Sequence, residues 1–297
     1  MASAELRLIR RRIRSVKSTM KITRAMELIA ASRIVKAQQR VAAAQPYTAK
    51  MNEVIRNVAA ASAGASHPLL DAREVVTAGI LAVTSDRGLA GAYNSSILRL
   101  AEARLIELKD AGVDTRVYAV GKKARGYFDF RGYRIEQAFL GVTDTPGYGD
   151  ARAIANVVMN DYAEGKVDSI EVFTTRYVSA LTQTPMQWKL LPIEPPAAAE
   201  DAFTADDAGP IGYTYEPNAG DILSRLLPRY VEATAFGILL DASASEHAAR
   251  RRAMKAATEN AEELVRILSR QANQARQAEI TTEISEIVGG AEALTNG

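Results

Sequence analysis

Residues 3–45 contain neither proline nor glycine, and neither does the stretch from Ile238 to Val288. Runs of that length rich in Ala, Glu, Arg, Leu and Gln have one low-cost backbone state, the α-helix. Leu6, Ile9, Ile13, Val16, Met20 and Thr23 step by three and four, as the buried seam of a coiled coil does. The rhythm blurs over Met26–Ala30 and resumes at Ile34, Ala37, Val41 and Ala44. Pro46 is expected to kink or restart the helix, because proline fits a first turn and not an interior. A helix over residues 4–60 would be about 85 Å long, and one over 238–288 extended to its flanks about 100 Å. Neither is apolar enough to be buried all round. Small-residue faces such as Ala242–Ser245 and Ala253–Ala257 let two helix backbones approach closely. The economical arrangement is an antiparallel coiled coil of the two ends. Two separate helical hairpins are the alternative.

The middle of the chain has a different texture. Ala78–Thr84 and Arg116–Val120 read as strands, as do Ile170–Tyr177 and Met186–Ile193. Asn94–Ala111 reads as a helix burying Ile97, Leu98, Ala101, Leu105 and Leu108, and Ala151–Gly165 as another. Strands alternating with helices imply a parallel sheet. Residues 185–228 then carry seven of the ten prolines, an irregular connection. The expected architecture is mixed α+β and α/β: a long antiparallel coiled coil plus a Rossmann-like parallel α/β domain. Its boundaries are 1–62 for the first helix, 75–195 for the α/β domain, 196–218 for the connection and 219–297 for the last helix.

Composition narrows the chemistry. The chain has no cysteine and only two histidines, His67 and His247, so thiolate sites, disulfides and multi-His metal centres are out. No apolar run approaches the roughly 18 residues of a membrane span, and the start lacks the apolar core of a signal peptide. The cytoplasm is the expected compartment. A net charge of +2 hides an asymmetry: residues 1–40 sum to +9 and the remainder to −7. A basic start calls for an acidic partner. Nucleic acid is one candidate, but residues 1–46 contain no aromatic side chain on which a base could stack. The loop Ser85–Gly91 matches neither dinucleotide nor P-loop spacing, and Gly121-Lys122-Lys123 lacks the glycine upstream. Both read as tight strand-to-helix turns, with Asp86 and Arg87 a local turn and ion pair. No nucleophile constellation is present, and no cofactor is expected.

Four segments together resemble one family, the gamma subunits of F-type ATP synthases. They are Ile13–Lys17 with Lys21–Ser32; Ser85–Asn94; Ser245–Arg250 with Ala253–Ala261; and Ala275–Ala291. They occur in the family's order and span both ends and the middle. Where the family often has cysteine after Leu89, this chain has Ala90. The match begins near residue 4, which favours a bacterial chain without a transit peptide.

The resemblance implies a non-catalytic rotor, present in one copy. Its paired helices form a shaft in a ring of alpha and beta subunits, and its α/β domain sits at the foot. Implied partners are alpha, beta and epsilon subunits and the c-subunit ring, without nucleic acid. Membrane contact is only through the complex, on the cytoplasmic face of the bacterial membrane. Carried over by position, Met26, Arg250, Arg276, Gln277, Thr281 and Glu283 are implied contacts or supports at the beta subunits. Tyr215 and Glu216 are implied at the c ring.

Overall fold

The structure is a computed structural model that describes residues 4–61, 67–193 and 218–295. It comprises two compact units: residues 1–30 with 250–297, and residues 31–249. Helix α1 (Ala4–Ala61) and helix α5 (Ala219–Thr295) each contribute to both. The irregular connection expected over 196–218 lies outside the described residues but for its last position.

The second unit is built on a five-stranded sheet: β1 (Thr77–Val83), β2 (Asp114–Val120), β3 (Ile135–Phe139), β4 (Ser169–Tyr177) and β5 (Gln183–Leu191). Their order is β3-β2-β1-β4-β5. The first four pair in parallel, with β1 between β2 and β4. The expectation of a wholly parallel sheet is corrected at one edge, where β5 runs antiparallel to β4. Only residues 178–182 separate them, a hairpin's length, whereas a parallel partner needs a crossover of a dozen residues or more.

One sheet face is covered by α2 (Tyr93–Asp110) and α3 (Lys122–Phe130). Ile97, Leu98, Ala101, Leu105 and Leu108 of α2 are buried there, the stripe read from its spacing. The other face is covered by α4 (Tyr148–Ala163) together with Met51, Ile55 and Val58 of α1 and Leu223–Ala242 of α5. Both chain ends therefore supply core to the sheet.

Helix α3 and strand β3 were not legible in advance. Nine residues containing Gly126 make a weak helical signal, and the five residues of β3, IEQAF, include a charge and an amide. Tertiary packing decides both: Ala124 and Phe128 are fully buried. Pro46 and Pro228 lie inside helices that continue through them, so α1 is not restarted at Pro46. Each costs one backbone bond, which the packing of the flanking turns offsets.

Gly121 ends β2 and precedes α3 with φ +89°, and a Cβ there would lie 2.5 Å from the Thr84 carbonyl oxygen. That backbone is reached without strain only by glycine. Gly121→Ala is expected to destabilise the sheet by about 2–4 kcal/mol, read from the urea midpoint. A change under about 0.5 kcal/mol would show that the turn relaxes freely.

Asp241 on α5 gives a pH-dependent test. Burial pushes its carboxyl up from the ordinary 3.8 to about 6, against the opposing charge of Arg176. The folded state therefore favours the neutral acid. The cost of ionisation is absent below about pH 4 and complete above about pH 6. Asp241→Asn should accordingly gain about 1–2 kcal/mol over the parent at pH 8, after allowance for solvent screening, and nothing at pH 4. Denaturant melts at the two pH values check this.

Candidate functional site

The first unit is a helix pair. On α1, Leu6, Thr23 and Ala30 are buried and Ile9, Ile13, Val16, Met20 and Glu27 are half-buried, an unbroken alternation of three and four. The apparent blur is Glu27, a carboxylate in the seam whose Oε2 takes Arg24 Nη1 at 3.4 Å. On α5, Met254, Thr258, Ala261 and Leu268 are buried and Val265, Ala272, Ala275 and Glu279 half-buried, again by threes and fours. The hydroxyls of Thr23 and Thr258 meet at 2.8 Å, and Thr258 donates to its own Met254 carbonyl at 2.9 Å.

The direction follows from where burial stops. From the Thr23–Thr258 level, α1 stays buried back to Leu6, and α5 stays covered onward to Glu279. Residues 280–291 are exposed throughout. An antiparallel pair sets the start of α1 beside residue 277 or so, and α5 overhangs it.

The overhang mixes polar residues with an apolar stripe. Ile280, Ile284, Ile287 and Val288 are 48–71% exposed and recur at one-turn spacing along one stripe. On α1, Leu8, Ile22, Leu28 and Ile29 also face outward. Among them stand the exposed cations Arg7, Arg10, Arg11, Arg12, Arg14, Lys17, Lys21 and Arg24. Exposed apolar stripes mark interaction surfaces, and a field of positive charge favours acidic partners. None of these apolar positions belongs to the seam. They could have been found as the apolar residues left over once the seam was subtracted.

The implied site residues fall in two groups. Arg276 and Gln277 are exposed just before the overhang and Thr281 and Glu283 are exposed within it, with Thr281 Oγ1 donating to the Gln277 carbonyl at 3.0 Å. Met26 is half-buried one turn past Thr23, and Thr258 lies about 35 Å of helix from Thr281. Arg250 is buried and precedes Thr258 by about two turns. The pair thus separates Met26 from the Arg276–Glu283 group. Tyr215 and Glu216 lie outside the described residues.

In the second unit, the loops at the C-terminal ends of β1, β2 and β3 are tied together by one carboxylate. Asp86 accepts from the backbone N–H of Lys122 at 3.1 Å, from Gly141 N–H at 3.0 Å and from Thr143 Oγ1 at 3.1 Å. Asn94 Oδ1 takes the backbone N–H and the hydroxyl of Ser85, both at 2.9 Å. Beyond the local turn read from the sequence, Asp86 has hydrogen-bond partners 36 to 57 residues away. A phosphate reaching the N-terminus of α3 would meet the Asp86 carboxylate already there. No helix among the described residues is long and apolar enough to cross a membrane.

Comparison with known proteins agrees with this picture. The family model described as ATP synthase matches residues 5–294. The ATP synthase gamma chain of Acidothermus cellulolyticus is 50% identical over 98% of this chain and 97% of its own. That of Frankia casuarinae is 48% identical over 99% of each. Among solved structures, a chain of the Euglena gracilis mitochondrial ATP synthase in rotational state 3 matches with a TM-score of 0.64 at 16% identity, covering 98% of this chain and 94% of its own; at that identity the likeness concerns the fold. With near-full-length identity of about half the residues, this chain belongs to the family of ATP synthase gamma chains.

Proposed function

We propose that this chain is the central-stalk rotor of an F-type ATP synthase. In this role it carries ion-driven rotation of a c-subunit ring to the catalytic sites on the beta subunits, and carries out no chemistry itself. The observation that supports the reading most directly is the helix pair of the first unit. It exposes an apolar stripe and a cationic face at one end, in a chain whose gamma-chain relatives match it from end to end. A structural neighbour is described as the rotor of the Euglena gracilis mitochondrial enzyme, which agrees with this role.

The physics of the role is population shift. A shaft without threefold symmetry presents a different face to each of three identical subunits, and each is biased toward a different conformation by its differential contacts. Exposed apolar side chains suit a surface that must grip and release, because dispersion and hydrophobic contact are non-directional. Arg276, Gln277, Thr281 and Glu283 would meet the ring at the overhang, and Met26 and Arg250 would support it further along the pair. Tyr215 and Glu216 would meet the c ring, and the epsilon subunit would bind the same rotor. One copy would serve each complex, held peripherally at the cytoplasmic face of the bacterial membrane. Co-expression with alpha and beta subunits should yield a stoichiometric complex from membranes; a chain that never enters one would refute the reading.

Two variants test its parts. Met26→Lys places a cation where a flexible thioether slides past its surroundings without preference. A partly desolvated pair with a beta-subunit carboxylate would favour one orientation by a few kcal/mol. Hydrolysis should stay within about twofold of the parent while pumping and synthesis fall several-fold, and neutralising the acidic partner should restore them. Equal loss of all three activities would make Met26 a packing residue only.

Removing residues 280–297 deletes the exposed apolar stripe and none of the residues of the sheet's two core clusters. Binding to the alpha–beta ring should weaken by about tenfold or more, while amide protection over Ala78–Val83 and Ile170–Phe173 stays as in the parent. Loss of that protection would mean that the helix end is integral to the sheet.

A further inference from the structure

The loop between β3 and α4 carries a residue gripped by both long helices. Asp144 receives Arg33 of α1, whose guanidinium Nη1 donates to both carboxylate oxygens. From α5, Ser243 Oγ donates to the Asp144 backbone carbonyl at 3.1 Å, and His247 Nε2 lies 3.3 Å from the same oxygen. His247 is 2% exposed, and its Nε2 is also 3.7 Å from the Asp144 carboxylate. Two residues on, the Pro146 carbonyl accepts from Arg40 of α1. One residue back, Thr143 Oγ1 bonds Asp86, the carboxylate that ties the three strand-end loops. A continuous run of polar contacts therefore joins α1, the crest of the sheet and α5 through this loop. Burial pushes the Asp144 carboxyl up, but Arg33, with His247 and Arg87 adding to it, outweighs that and holds it below the usual carboxylate range. Asp144 is thus ionised at neutral pH.

The apolar core beneath, where Met51, Ile55 and Val58 meet Leu227, Val231 and Leu239, resists separation of helices from sheet. Apolar contact fixes which stripe of each helix faces the sheet, but, being non-directional, it yields to small rotations about the helix axis within that stripe. Charge-assisted hydrogen bonds are short and angle-dependent, and they do resist such turning. We propose that Asp144 is a torque-bearing cross-tie, a positioning residue that keys α1 and α5 to the sheet domain so that rotation of one is rotation of the other. This rests on the rotor reading above.

The test uses the whole complex reconstituted in vesicles. Asp144→Ala and Arg33→Gln should leave assembly and hydrolysis in detergent, where no ion gradient opposes rotation, within about twofold of the parent. Synthesis driven by an imposed ion gradient should fall about fivefold or more, and steepen with load. The exchange Arg33→Asp with Asp144→Arg should recover at least half of the loss, as a direct coupling between the two requires. Single-rotor torsion measurements should find the singles softer than the parent and the exchange variant close to it. Hydrolysis and synthesis falling together, with no recovery in the exchange, would make the node merely structural and overturn the proposal. Unchanged synthesis and stiffness would overturn it equally. Failure of the parent chain to enter the complex would instead remove the rotor reading, and this inference with it.

Discussion

Burial at every third and fourth position of α1, from Leu6 to Val58, is the constraint from which the rest of the molecule follows. In the first unit that stripe meets α5 at the Thr23–Thr258 contact, on the face of α5 that buries Met254, Ala261 and Leu268; in the second it ends in Met51, Ile55 and Val58, which belong to the core beneath the sheet. Because one stripe is used inward, the remaining faces are released outward. The exposed cations of residues 7–24 and the outward Leu8, Ile22, Leu28 and Ile29 are a consequence of which stripe is used.

The sheet plays a complementary part. Its C-terminal crest has the topology that in other doubly wound sheets leaves a crevice for ligands. Here Asp86, Asn94 and Thr143 link the loops after β1, β2 and β3 by hydrogen bonds. Beside a cavity lined by Arg99, Lys122 and Lys123, one carboxylate, Asp86, ties this crest together. The segment that continues from it, Asp144 to Pro146, reaches Arg33 and Arg40 on one helix and Ser243 and His247 on the other.

Much of this was legible in the residues. The rhythm from Leu6 to Thr23, the buried stripe of α2 and the strands at Ala78, Arg116 and Ile170 are all repeats of period two or 3.6, and such repeats are local. Glu27 was not legible as a seam residue, because a carboxylate interrupts the apolar rhythm; in the structure it pairs with Arg24 one turn away. Helix α3 and strand β3 were missed because their own signals are weak and burial of Phe128 decides them. The antiparallel edge strand follows from hairpin length, a cue present in the residues and outweighed by the βα alternation before it. The Arg33–Asp144 pair spans 111 residues of chain, a distance over which spacing carries no information.

Read alone, the residues determined that both ends are helical, that the middle is layered α/β and that the chain lacks thiolate, multi-His and nucleophile chemistry. Each of those depends on side-chain type and on neighbours within a few positions. The tertiary structure decided the register of Thr23 against Thr258, the end of burial at Glu279 and the exposure of Ile280, Ile284 and Ile287 beyond it. It also decided that Asp86 and Asp144 bind backbone and side chains far from them in sequence. Those outcomes depend on which distant surfaces meet, because a hydrogen bond or an apolar contact is set by separation in space, and only the folded chain brings its remote segments within that reach.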